Sequence, residues 1–165
     1  VKEKTNHYIY QVAQYKNSTF NIDSLKIDNL EFPKKVLEVK DNNYIRILWT
    51  GPKNWLLIFK SKDLINKLNE IDKNNFAVTD LSHTRAIIEL KGKNSREVLK
   101  KGCPFNINDL KKNNSVNSVF NGIAVTIDMV DDNPDKIDLY VLRSFGESFF
   151  HSITDACLEF GYKID

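Results

Sequence analysis

The sequence predicts an α+β fold in which helices pack on one face of an antiparallel sheet, and three features predict it. From Trp55 onward, apolar runs and turn residues alternate in the order β-α-β-β-α-β-β-α. Two alternating segments, Val119–Val130 and Lys136–Leu142, are joined by a short turn sequence. The last helix carries a clean apolar stripe of 3.6-residue period.

Residues 1–43 hold short apolar runs such as Tyr8-Ile9-Tyr10 and Val36-Leu37-Glu38-Val39 between polar turns, which predicts two or three short strands. Tyr44–Trp49 is the next strand, Gly51-Pro52 punctuates a turn, and the unbroken run Trp55–Phe59 suits a strand buried on both faces. Ser61 can cap a helix whose Leu64, Ile65, Leu68 and Ile71 share one face. Phe76–Leu81 and Arg85–Leu90 read as strands, the second with Ala86, Ile88 and Leu90 inward.

Asn94 stands three residues before Glu97, the spacing of a capping box, and opens a short helix with Val98 and Leu99 inside. Lys100 and Lys101 suit its carbonyl end, Gly102 can take the left-handed closing position, and Pro104 stops continuation. Val119–Val130 reads as one strand with Ile123, Val125, Ile127 and Met129 on one face; Asp131–Asp135 is turn sequence, and Lys136–Leu142 returns antiparallel with Ile137, Leu139 and Val141 inward. Phe149, Ile153, Ala156, Cys157 and Phe160 then form the apolar stripe of a helix that ends before Gly161. Burying Phe149, Ile153 and Phe160 stabilises a fold by about 1.5–3 kcal/mol each.

The 165 residues include 24 Lys+Arg and 22 Asp+Glu, 41 % hydrophobic residues, six Gly and two Cys. That length suits a single domain over 1–165, with room for two small lobes. A net charge of +2 from interspersed charges provides no basic stripe for a phosphate backbone, which argues against nucleic acid. No segment approaches the roughly 20 apolar residues of a membrane span. The first ten residues lack the apolar core of a signal peptide, so a cytoplasmic protein with reduced thiols is expected.

Most catalytic chemistry has no matching pattern. The glycines are isolated rather than gathered into a phosphate loop, and His7, His83, His151, Cys103 and Cys157 lack metal-ligand spacing. Asp131–Asp135 imitates the opening of a calcium loop, but Lys136 and Leu142 stand where its Gly and Glu belong. Cys103, with His83 or His151 as a base, is the one candidate nucleophile; against it stands a position beyond a helix end, which favours a packed structural thiol. Cys157 falls on the apolar helix face.

Two features have both a structural and a binding reading. Ser144 and Glu147 have capping-box spacing, while Arg143 with the same helix start could hold an anion such as a carboxylate tail. Trp49 and Trp55 flank Gly51-Pro52 as packing residues or as interface anchors.

Three pieces in order carry a resemblance: Trp49-Thr50-Gly51-Pro52-Lys53-Asn54-Trp55-Leu56-Leu57, then Lys101-Gly102-Cys103-Pro104, then Asp138-Leu139-Tyr140-Val141-Leu142-Arg143-Ser144-Phe145 leading to Asp155-Ala156 and Glu159-Phe160-Gly161. Together they resemble the gamma subunit of heterotetrameric sarcosine oxidase, from about Trp49 to Gly161. Gly146, Phe149-Phe150 and Asn108-Asp109 depart from that family's pattern, in ways that touch partner surfaces more than the fold.

The resemblance implies a fold like the folate-binding domain of the glycine-cleavage aminomethyltransferase. It also implies a place in an alpha-beta-gamma-delta enzyme that demethylates sarcosine oxidatively to glycine, passing the one-carbon unit to tetrahydrofolate. FAD, FMN, NAD, tetrahydrofolate and zinc are then expected in partner subunits, with no cofactor, catalytic residue or metal in this chain.

The leading expectation is therefore a non-catalytic subunit that packs on the alpha subunit, with Trp49, Trp55, Arg143, Ser144 and Phe145 as candidate interface or anion contacts. The alternative is a small-molecule binding module with a folate-type cleft facing Arg143 and Ser144; a thiol enzyme using Cys103 ranks third.

Overall fold

A computed structural model describes residues 1–164, which divide into two compact units: residues 6–82, and residues 1–5 together with 83 onward. Strand β1 (Lys2–Lys4) belongs to the second of these.

The unit of residues 6–82 contains β2 (Tyr8–Gln14), the short β3 (Lys26–Ile27) and β4 (Leu30–Glu31), β5 (Val39–Asp41), β6 (Ile45–Gly51), β7 (Asn54–Phe59), helix α1 (Asp63–Asn69) and β8 (Phe76–Asp80). Its main sheet is antiparallel in the order β5-β6-β7-β2-β8. The run expected to be buried on both faces is so: Trp55, Leu57 and Phe59 enter the main cluster with Leu64 and Leu68 of α1, while Leu56 and Ile58 are also buried. The cap residue of α1 is Lys62, without a side-chain bond, rather than the expected Ser61, which stands one position earlier and accepts on Oγ from the Asp63 amide at 3.3 Å.

The other unit adds β9 (Arg85–Lys91), α2 (Ser95–Lys100), β10 (Asn114–Phe120), β11 (Ile123–Asp132), β12 (Asp135–Leu142) and α3 (Gly146–Cys157). Its sheet is antiparallel in the order β1-β9-β12-β11-β10. Ala86, Ile88, Leu90, Val125, Ile127, Leu139 and Val141 form one core with Val98 and Leu99 of α2 and with Phe149 and Ile153 of α3. Alternate positions place Glu89, Asp138, Asp128 and Ser115 in cross-strand register on the opposite face. There Lys4 bonds Asp138 at 2.6 Å.

The structure corrects several local expectations. The stretch read as one strand from Val119 to Val130 is broken by a hairpin turn at Asn121-Gly122, whose φ values of 48° and 82° suit a type I′ turn. The N-terminal 43 residues hold five strands, because β1 and β2 find partners far along the chain. Gly102 is not in the left-handed region; an added Cβ there would lie 2.9 Å from the Phe120 ring, so close packing demands the glycine.

Neither capping box forms. Asn94 makes no side-chain cap bond and Glu97 pairs with Lys100 instead. Ser144 lies inside a 3-10 turn, Arg143–Phe145, so Phe145 precedes α3 and also makes no cap bond. Phe160 is half-buried rather than core, with the Lys101 ammonium 4.8 Å from its ring centroid.

Candidate functional site

Strand β12 ends at Leu142, and the 3-10 turn Arg143–Phe145 redirects the chain into α3. The turn is pinned to the β9 side, since the Arg143 amide bonds the Thr84 carbonyl at 2.9 Å and its Nη2 donates to the Arg85 carbonyl at 2.6 Å. Leu142 and Phe145 are left 42 % and 48 % exposed, on either side of Arg143 and Ser144. Two large apolar side chains around a fixed guanidinium make a surface of the kind that protein partners cover.

Beside the turn lies a cleft of about 500 Å³ lined by Glu3, Ala86, Ile88, Arg143, Glu147 and Phe150. Its charge does not favour an anion: two carboxylates face one guanidinium, and Glu3 already approaches Arg143 Nη1 at 3.9 Å. The expected group of Arg143, Ser144 and Phe145 is thus brought together at one exposed corner.

The tryptophans sit elsewhere, in the other unit, as cross-strand partners on β6 and β7. Trp55 is taken up by the core: it is 3 % exposed, donates from Nε1 to the Pro33 carbonyl at 2.7 Å, and meets Phe32 edge to face at 5.2 Å. Trp49 is half-buried against the same cluster.

The thiol candidate does not gather an acid–base pair. Cys103 is buried with Sγ 3.1 Å from Ser118 Oγ, while His83 is exposed and His151 lies 4.0 Å from Glu147. Burial pushes the Cys157 thiol up, more than the nearby Lys101 charge lowers it. Among the described residues no group of three or more His, Cys, Asp or Glu side chains is placed to hold a metal ion, and no helix is long and apolar enough to cross a membrane.

Reading the sequence missed Arg96. Its Nε bonds both carboxylate oxygens of Asp135 at 3.0 and 3.2 Å, and Nη1 takes the carbonyls of Ile107 and Leu110 at 2.7 and 2.9 Å. An arginine on a short helix gives no sequence signal of such a role, because its partners are two backbone carbonyls and the aspartate that opens β12.

A family model described as "Sarcosine oxidase, gamma subunit family" matches residues 16–159. Among solved structures, a chain of a heterotetrameric sarcosine oxidase from Corynebacterium sp. U-96, in complex with pyrrole 2-carboxylate, aligns with a TM-score of 0.86 at 22 % identity, over 99 % of this chain and 86 % of that one. The glycine cleavage system aminomethyltransferase T from Bartonella henselae aligns with a TM-score of 0.65 at 12 % identity, over 92 % of this chain and 44 % of that one. At those identities the two structures show a shared fold, the α+β fold of the aminomethyltransferase type. No curated protein matches the sequence.

Proposed function

Because this chain belongs to the sarcosine oxidase gamma-subunit family, we propose that it is a non-catalytic subunit of a heterotetrameric sarcosine oxidase and docks directly on the alpha subunit through the corner at Leu142–Phe145. The match of the family model across residues 16–159 carries this reading. In it, beta and delta subunits complete the assembly. The partners hold FAD, FMN, NAD and zinc, and the whole enzyme demethylates sarcosine oxidatively to glycine in the cytoplasm, with the one-carbon unit passing to tetrahydrofolate.

The exposed apolar pair supports the choice of surface. Leu142 and Phe145 flank Arg143, whose guanidinium is already held by the Arg85 carbonyl, so docking there orders little that is not ordered beforehand. A permanent interface of this sort buries above about 1,000 Å² in total.

Co-expression of the tagged chain with the three partner subunits tests the reading. The chain is expected to retain the alpha subunit through purification, and a Leu142→Asp/Phe145→Asp variant to lose most of it while staying folded. Retention of alpha by the folded double variant would move the docking surface elsewhere; a wild-type chain that emerges without any partner would defeat the subunit assignment itself.

A further inference from the structure

In the unit of residues 1–5 and 83 onward, we propose a binding site for a small organic anion, a carboxylate or phosphate on an apolar body, in the basic cavity beside the turn from β9 to α2. The cavity has a volume of about 350 Å³, and four lysines line it: Lys93 at the turn and Lys163 after α3, with Lys2 on β1 and Lys91 at the end of β9, which share the sheet face of Glu89, at its rim. None of the four ammonium groups has an ion-pair partner among the described residues. The one carboxylate of the lining, Glu89, is engaged by Lys4 at 3.5 Å and Lys136 at 3.3 Å. Like charges gathered around a recess attract a counter-ion and raise its local concentration.

Two further observations shape the ligand. Ser95 in the cavity wall is 3 % exposed, and its Oγ has no hydrogen-bond partner among the described residues. A buried hydroxyl in that condition is disfavoured, and an anionic oxygen close by would supply the missing acceptor. Leu90, Val98 and Phe160 give the lining an apolar side, which suits a ligand with a hydrocarbon or aromatic body. The volume is near the lower end for ligand pockets, so a single-ring or short-chain anion fits better than a nucleotide. The cleft beside Arg143 makes the contrast, with two acids to one base.

The test uses the full chain with the subunits that copurify with it, titrated calorimetrically at low salt with phenyl phosphate in one arm and benzoate in the other. At least one probe is expected to bind with a dissociation constant at or below about 1 mM, weakening as salt is added. The tighter arm identifies the head group. A Lys93→Gln/Lys163→Gln variant is expected to weaken that probe by about tenfold, and Ser95→Ala to weaken it while leaving the salt dependence in place. Absence of binding by both probes up to about 10 mM, or an unchanged affinity in the lysine variant, would overturn the site.

Discussion

Arg96 of α2 and Asp135 at the start of β12 are joined through Nε at 3.0 Å, across 39 positions of sequence. The pair is mostly buried, with side chains 19 % and 12 % exposed, and the same guanidinium closes the loop at Ile107 and Leu110. Removing a partly buried charge leaves the Asp135 carboxylate and the Leu110 carbonyl without a donor, while the Ile107 carbonyl keeps its bond from the Leu110 amide at 3.2 Å. Arg96→Met is therefore expected to lower stability by about 2–4 kcal/mol. Arg96→Lys recovers only part of the loss, because an ammonium cannot reproduce the guanidinium fork. Urea unfolding of the three proteins checks the order.

Gly102 and Gly161 are glycines for different reasons, close packing at the first and backbone conformation at the second. At Gly102 the new Cβ would lie 2.5 Å from Asn121 Oδ1 and 2.9 Å from the fully buried Phe120 ring, so Gly102→Ala is expected to cost about 1–3 kcal/mol by overpacking. At Gly161 space is open but φ is +69° with ψ 146°, a positive-φ extended conformation essentially reserved for glycine, so Gly161→Ala is expected to cost about 1–3 kcal/mol of backbone strain. Thermal melts of the two variants read both losses.

Glu38 gives the chain an acid-sensitive element. Burial works against its charge, but the Lys40 ammonium and the amides of Lys35 and Lys34 outweigh burial, bringing the carboxyl from its ordinary 4.5 to about 2. A group lowered in the folded chain contributes stability that is fully present above its unfolded pKa and is lost as pH falls through its folded one. The window is therefore about 4.5 down to about 2. Glu38→Gln is expected to be less stable than wild type near pH 6 and nearly equal to it near pH 2. Denaturation at the two pH values measures the convergence.

Trp55 and Phe145 are expected to divide stability from assembly. Trp55→Phe loses the bond to Pro33 and part of the contact with Phe32, which lowers stability by about 1–3 kcal/mol and leaves partner retention unchanged. Phe145→Ala, at a 48 % exposed position, does the reverse. Melting temperature and copurification yield, measured on both variants, show whether the two effects separate.

The sequence was most legible where structure is decided locally. The stripe Phe149, Ile153, Ala156, Cys157 fixes α3, and the β11–β12 hairpin was read from neighbouring residues too, although its turn is only Asn133-Pro134, with Asp131, Asp132 and Asp135 of the expected turn paired in the strands. The Asn121-Gly122 turn was equally local but was masked by apolar residues on both sides that continue one strand pattern. Of the N-terminal strands, β2 was legible in the run Tyr8-Ile9-Tyr10, whereas β1 was not, for a different reason. Lys2–Lys4 is all charged and becomes a strand only by pairing with Glu89, Ile88 and Ile87, a contact no local pattern records.

The candidate site was legible in part. Arg143, Ser144 and Phe145 do share an exposed corner, but capping spacing could not reveal the intervening 3-10 turn. Trp55 could not be told from an anchor by composition, since tryptophan serves cores and interfaces alike.

Sarcosine turnover measured in three preparations tests the subunit reading most directly: this chain alone, the partner subunits without it, and all four together. The reading predicts no turnover by the chain alone, full activity in the complete set, and a loss of activity or assembly when this chain is withheld. Demethylation of sarcosine by the isolated chain would contradict it.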